Sequence, residues 1–445
     1  MTAYRWRMVA LLFFATTVNY IDRNVLSFTM IDEAFRRTML GLPDDAVLTA
    51  ADINTFKERM GYVDAAFKTA YALGFLLVGW FIDRVGTRKG FSFALVLWSL
   101  AGIGTAFVNS VRSLSIGRFL LGIGEAGNFP SSVKSVAEWF PKKERAFATG
   151  VFNAGSNVGI IVTALVVPWL TLTFGWRAAF VITGLLGFVV LALWLRHYRR
   201  PEEHPGVSQA ELAHIRSDTD EVADTAKPVS WRQLLTHRQT WALAVCRFLA
   251  DPIWYFYLTW LPDFFNSGES LDQKLDLKSI GLPFLIIYLV SDAGSIFFGW
   301  LSSRLIAGGW AVGKARKFTL LLCALSVVPI YFASSTGSLY VAVALISLAT
   351  AAHQGWSANI YTMGSDLFPK NSVSSVIGIG GMFGAIGGIL LAASAGVIRV
   401  KFGYTPLFLI AGSSYLLAWV ILNLLVPEWR SIGGAGNNAR PSGVL

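Results

Sequence analysis

Apolar residues run along this chain in blocks of about twenty, the length an α-helix needs to cross the hydrocarbon core of a bilayer. The blocks predict helices near 7–30, 61–82, 90–109, 112–137, 146–172 and 176–195. After a long polar break they resume near 241–265, 281–303, 316–334, 338–363, 373–398 and 404–426. Lipid offers backbone N–H and C=O groups no partner, so such segments satisfy their own hydrogen bonds as helices. The pattern predicts an all-α membrane protein with 12 transmembrane helices, and an even count puts both termini on one side.

The chain is duplicated. Phe140-Pro141-Lys142 recurs as Phe368-Pro369-Lys370, and 174–195 echoes 402–423 at the same offset of 228 residues. Gly79-Trp80 is likewise answered by Gly299-Trp300. Two six-helix bundles, 1–196 and 241–428, are therefore expected, joined by a charged linker over 197–240 with Pro201, Pro205 and Pro228, and followed by a tail over 429–445. Such duplication suits a transporter whose halves rock about a central site, and a channel has less need of it.

Composition agrees. Of 445 residues 54% are hydrophobic and 14% charged, against roughly 25% charged in a soluble domain; the mean hydropathy is +0.54. A net charge of +10 would suit a nucleic-acid binder, but the cations are scattered between apolar blocks rather than gathered in a stripe, which argues against nucleic acid and for a lipid bilayer. Arg5, Arg7, Arg84, Arg88, Lys89, Lys142, Lys143, Arg145, Arg196, Arg199, Arg200, Arg304, Lys314, Arg316 and Lys317 all fall on one side, which the positive-inside rule makes cytoplasmic. Residues 31–60, with balanced charge, read as a loop on the opposite side. The expected location is the cell inner membrane, with both termini cytoplasmic. Arg5 and Arg7 before an apolar run imitate a signal peptide, but small-residue cleavage chemistry is missing, so a retained first helix is expected. Cys246 and Cys323 lie inside spans without the spacing of a metal or redox pair and read as packing residues.

Gly79-Trp-Phe-Ile-Asp83-Arg84-Val-Gly86-Thr-Arg88-Lys89 resembles the loop between helices two and three of the major facilitator superfamily. NYIDRNVLSF (19–28), GRFLLGIGEAGNFP (117–130), ADPIWYFYLTWLP (250–262) and SDAGSIFFGWLSS (291–303) resemble its anion:cation symporter branch, most closely the hexuronate transporters. The resemblance covers nearly the whole chain apart from linker and tail. It implies the major facilitator fold and proton-coupled transport of a sugar acid. It also makes Asp83, Arg84 and Arg88 a gate, with Asp83 pairing across the halves at a helix end to hold the outward-open state; charge alone would read these three as a positive-inside signal.

Asp22, Arg23, Lys68, Arg118, Glu125, Arg247, Asp251 and Asp292 fall inside spans. A charge at bilayer depth costs at least about 2.5–3.5 kcal/mol, so it faces a cavity or a partner. Tyr20, Arg23 and Ser27 share a helical face, with Asp22 about 100° round. The resemblance makes Arg23 a carboxylate ligand and Asp22 a protonatable group; the plain alternative is a local Asp22–Arg23 ion pair. Arg118, Gly122 and Glu125 form one stripe. Burial favours a protonated Glu125 and Arg118 an ionised one, a competition suited to proton coupling; a structural Arg118–Glu125 bridge is the alternative.

Lys68 and Tyr71 share a face in the second span. Lys68 either meets an incoming anion or snorkels to the interface, whereas the Tyr71 phenol and ring suit a sugar. Span seven offers Trp254 and Tyr255 as sugar-lining aromatics, against an aromatic-belt reading, and its Arg247 reads as close to the cytoplasmic end. In span ten, Gln354 and Asn359 suit hydroxyl binding, while His353 reads as a hydrogen-bonded packing residue. The glycines of GIGGMFGAIGG (378–388) permit close helix contact; without GK[ST] they are no phosphate loop.

The residues thus read as a transporter and not an enzyme, with no catalytic residues, metal or cofactor. The expected partners are a small anionic substrate, a hexuronate or related sugar acid, and H+, handled by a monomer. An aldonate such as galactonate or another organic anion is the alternative cargo, and a membrane receptor or channel without coupled transport a more distant one.

Overall fold

The computed structural model describes residues 3–218, 230–267, 271–273 and 281–432. The linker stretch 219–229 and the tail from 433 lie outside the described residues. In the first half the helices are α1 (Tyr4–Thr29), α2 (Glu33–Leu40), α3 (Ala50–Val85), α4 (Thr87–Thr105), α5 (Val111–Glu125), α6 (Asn128–Trp139), α7 (Lys142–Phe174) and α8 (Trp176–His197). The linker carries α9 (Gln209–Ile215) and α10 (Trp231–Thr236). The second half comprises α11 (Arg238–Ser267), α12 (Gly281–Ala307), α13 (Val312–Val327), α14 (Leu339–Leu367), α15 (Val373–Phe402) and α16 (Thr405–Leu425).

Each predicted span is largely helical, and the structure departs from expectation in two spans and one loop. The stretch 31–60 is no plain loop: it holds α2, capped where Asp32 accepts from the Phe35 N–H at 2.8 Å, and the first turns of α3, started by a Thr49/Asp52 capping box. The span 112–137 is broken after Glu125, so α5 and α6 form one interrupted crossing. Pro130 has no N–H to give the carbonyl of residue 126, which ends the α5 ladder there and leaves Glu125 as its last residue. After α13 the chain tightens into a 3₁₀ turn, Val328–Ser334, at Pro329.

By length and apolarity alone, eight of the described helices suffice to cross a membrane. Of the rest, α1, α5 and α11 carry Asp22, Arg23, Arg118, Glu125, Arg247 and Asp251, and those charges lower their mean hydropathy. Outward-facing Leu165, Leu172, Leu282, Leu390 and Leu424 give the molecule an apolar exterior that only lipid covers well.

The duplication reappears in three dimensions. Phe174-Gly175 and Phe402-Gly403 end α7 and α15, each glycine at positive φ, +83° and +71°. Helix α3 packs on α15, and α7 on α12, so the halves meet through two equivalent helix pairs. Gly150 of α7 lies so close to the Ser295 carbonyl that a Cβ there would sit 2.4 Å from its oxygen; Gly378 of α15, 228 residues on, stands likewise against the Phe75 carbonyl, at 2.1 Å. These contacts lie between the middle of the bundle and the end that carries the first residues of α1 and the end of α16.

Candidate functional site

Where α1, α3 and α5 converge, Arg23 donates from Nε to Glu125 Oε2 at 2.8 Å and from Nη2 to Asn19 Oδ1 at 3.4 Å. Its guanidinium lies over the rings of Tyr20, at 4.7 Å, and Tyr71, at 4.5 Å. The Arg23 side chain keeps 17% exposure while Glu125 is wholly buried, so an open edge of the cation is backed by a closed acid. Glu125 Oε1 has no hydrogen-bond partner among the described residues. Gly122 lets α5 approach α3 near Phe67 and Tyr71, where a Cβ would strike the Phe67 carbonyl.

Arg118 does not bridge to Glu125. It turns back to the main chain, Nη2 donating to the Arg23 carbonyl at 3.2 Å, and stacks over Phe67 at 4.5 Å. Its Nε and Nη1 are buried and have no hydrogen-bond partner among the described residues, while Asp22 is buried beside Thr183 of α8. A local Asp22–Arg23 pair is not formed either: the two side chains diverge on the helix, and Arg23 takes the acid of another helix.

The second half supplies a matching pair. Arg247 binds Asp251 Oδ2 through Nε at 2.9 Å and Nη2 at 2.7 Å, a side-on grip four residues along α11. Its guanidinium lies over Tyr361, at 4.6 Å, and over Phe75 of the first half, at 5.6 Å. Tyr71 and Phe75 touch edge to face, with centroids 4.7 Å apart. One helical face of α3 therefore stands between two arginines, one from each half. This corrects the placement of Arg247 near the cytoplasmic end: it lies in the central cluster, beside Gly380. Tyr255 packs on Gly388, and Trp254 stacks on His353 at 4.9 Å with 6° between the planes. His353 Nδ1 shares a hydrogen with the Tyr415 hydroxyl at 2.5 Å.

Three residues expected near substrate stand elsewhere. Lys68 is tied to Asp64 at 2.6 Å on the half-exposed side of α3, because the acid one turn back is its nearest opposite charge. Asn359 is fully buried and donates to the carbonyls of Gly355, at 2.9 Å, and Phe298, at 3.4 Å, so its amide is turned towards α12. Gln354 accepts from Asn153 of α7 at 2.7 Å, a contact between the halves.

At the end that carries the start of α1 and the end of α16, Asp83 meets the start of α15. Its Oδ1 accepts from the Ser374 N–H at 3.3 Å and its Oδ2 from the Ser375 N–H at 2.6 Å, while Lys134 holds Oδ1 at 2.8 Å. A carboxylate at a helix N-terminus is favoured by the unpaired N–H groups there and by the helix dipole. Arg84 and Arg88 do not join it: Arg84 lies over the Trp80 ring at 4.7 Å, and Arg88 binds the Leu195 carbonyl within its own half at 2.7 Å.

The sequence reading missed Lys134, and it treated Arg145 and Arg316 only as orientation signals. Both arginines are buried at the seam. Arg145 Nη1 donates to the Ser365 carbonyl at 2.6 Å; Arg316 binds Asp366 at 3.0 Å and the Lys142 carbonyl at 2.8 Å. The recurrence of Phe-Pro-Lys beside Lys142 and Lys370 was the available signal that these turns meet.

A family model described as Major Facilitator Superfamily matches residues 12–392. The chain is 29% identical over 422 residues to a hexuronate transporter of Escherichia coli (strain K12), covering 94% of this chain and 93% of the relative. It is 28% identical over 443 residues to a D-galactonate transporter of Escherichia coli O6:H1, covering 96% and 97%. Among solved structures, a proton:xylose symporter bound to 6-bromo-6-deoxy-D-glucose superposes with a TM-score of 0.73 at 16% identity, covering 96% of this chain and 97% of that one, a likeness of fold.

Proposed function

Because the chain belongs to the major facilitator superfamily, we propose that it imports a sugar acid of the hexuronate class, glucuronate or galacturonate, together with protons across a cell inner membrane by alternating access. Relatives named for hexuronate and D-galactonate support a sugar acid as cargo. The end that carries the start of α1 and the end of α16 is the cytoplasmic one, and the contacts between the halves at and towards that end support an outward-open state. In this reading residues 1–196 and 241–428 are the moving bundles of a monomer, 197–240 the cytoplasmic linker and 429–445 a cytoplasmic tail.

The observation that carries the proposal is the Arg23–Glu125 contact, an accessible cation backed by a buried acid. An arriving carboxylate takes the planar fork of Arg23, flanked by Tyr20 and Tyr71, whose phenols and rings suit a sugar. Glu125 then loses its cation in a buried place, where an unpaired charge is costly, and takes up a proton. Protonating Glu125 first frees Arg23 for the substrate. Either order links one anion to at least one proton, with the buried Asp22 as a second acceptor. Arg118, Trp254 and Tyr255 flank the same space, and Asp83 closes the cytoplasmic end.

Uptake of labelled glucuronate into proteoliposomes, with and without an inward proton gradient, tests this. Galacturonate competes strongly, gluconate and galactonate less, glucose and acetate hardly at all. Strong inhibition by glucose sinks the anion assignment. Galactonate outcompeting both uronates keeps the mechanism and moves the cargo to an aldonate, the reading that the likeness to the D-galactonate transporter favours. Failure to accumulate any of them against a gradient points to a receptor or channel.

A further inference from the structure

Asn157 of α7 and Asp292 of α12 meet across the seam between the halves, apart from the Arg23–Glu125 cluster. Asn157 Nδ2 donates to Asp292 Oδ1 at 2.8 Å. Both side chains are buried. Their two other oxygens, Asn157 Oδ1 and Asp292 Oδ2, are closed to solvent and have no hydrogen-bond partner among the described residues. With an ionised carboxylate both atoms are acceptors, so neither can satisfy the other. One proton on Asp292 changes that: a carboxylic acid has an O–H donor, and an acid and a primary amide already joined through one N–H···O bond close a second beside it.

No ion pair competes for this carboxylate among the described residues. On the helices packed against α12, Arg145 and Arg316 are engaged with Asp366, Glu144 with Arg5, and His353 with Tyr415; Arg304 lies three turns away on α12 itself. One turn along the same seam, Asn153 donates to Ser295 Oγ at 3.1 Å and to Gln354 Oε1, contacts between neutral groups that do not titrate. Asp292 is thus the seam's one buried carboxylate at this depth among the described residues, and the proposed substrate site makes no use of it.

We propose that Asp292 is a proton-operated latch between the two halves. Protonated, it holds Asn157 by two hydrogen bonds and keeps the cytoplasmic end shut. As the seam parts and water enters, the Oδ2–H bond breaks and the proton passes to water. The anion that remains has one amide donor and no cation, so reclosing requires a proton. The inference rests on the alternating-access reading but not on the cargo or on Glu125.

The test uses the full chain in nanodiscs without substrate, carrying Lys89→Cys and Arg304→Cys on the two halves, both exposed, while the native Cys246 and Cys323 are buried. Spin labels there report the separation of the cytoplasmic ends. In the parent protein the distance distribution lengthens as the buffer moves from acidic to alkaline. Asp292→Asn, whose amide supplies both a donor and an acceptor, stays short throughout, and Asp292→Glu recovers the pH response. A wild-type response in Asp292→Asn overturns the latch, as does a pH-independent parent. Infrared spectra give a readout independent of motion: a protonated-carboxyl C=O band that disappears in Asp292→Asn supports the proposal, and an unchanged spectrum refutes it. Glucuronate uptake by the parent protein judges the transport proposal separately.

Discussion

Arg23 and Glu125 are 102 residues apart and joined at 2.8 Å, the arginine side chain slightly exposed and the carboxylate closed off at the last residue of α5. The break that follows α5 is what puts an acid there: its side chain leaves a helix end rather than the middle of a stripe, and it meets α1 instead of its own Arg118.

Glu125→Gln keeps the shape of the protonated acid and removes the proton. Counterflow exchange of labelled glucuronate should continue near the parental rate, while uptake driven by a pH gradient falls to the level without a gradient. Persistent uphill uptake in this variant moves proton coupling to Asp22 or elsewhere.

Arg23→Lys should be nearly as damaging as Arg23→Ala. A point charge cannot reproduce two parallel hydrogen bonds to a carboxylate while lying flat over Tyr20 and Tyr71. Hydrogen bonds to charged groups contribute about 1.5–3 kcal/mol, so calorimetry should find glucuronate bound at least roughly tenfold more weakly. Parental affinity in the lysine variant rules out the two-pronged grip.

Gly378→Ala and Gly150→Ala should each hold the cytoplasmic end apart. The added methyl of the first falls 2.1 Å from the Phe75 carbonyl oxygen, and that of the second 2.4 Å from the Ser295 oxygen. Overpacking of this kind costs about 1–3 kcal/mol, here charged to the closed state alone. Alkylation of a cysteine introduced at Ser374, which packs on Gly79 in that state, should accelerate in both variants. Unchanged labelling means that the helices accommodate the methyl without parting.

Asn359→Ala should lower the melting temperature and leave the Kd for substrate within a factor of about two, because it strips hydrogen bonds from the α12 and α14 main chain. Gln354→Ala, by contrast, removes a contact between the halves and should alter transport rate more than binding. A tenfold rise in Kd for Asn359→Ala at an unchanged melting temperature restores it to the substrate site.

Removing Asp83 tests the gate. Asp83→Asn preserves size but weakens the grip on the Ser374 and Ser375 N–H groups and strands Lys134. Closure of the cytoplasmic end should weaken by about 1.5–3 kcal/mol, seen as faster proteolysis or labelling at that end. Equal protection in parent and variant means that Asp83 does not hold the halves together.

Much of this molecule was legible in its sequence. A backbone in lipid must satisfy its own hydrogen bonds, so a local apolar run is enough to fix a helix, and repeated Phe-Pro and Phe-Gly pairs reveal the duplication. Helical spacing likewise placed Tyr20 and Arg23, or Lys68 and Tyr71, on common faces. Which face meets which depends on the crossing of helices far apart in sequence, on the break after Glu125, and on glycines that let α3 and α15 touch. None of these leaves a period in the chain. So Arg23 answers to Glu125 rather than Asp22, Arg247 belongs to the centre, Lys68 falls to Asp64, and Asn359 turns to main-chain carbonyls: each buried polar group takes the partner that packing brings within reach, and only the tertiary structure decides that.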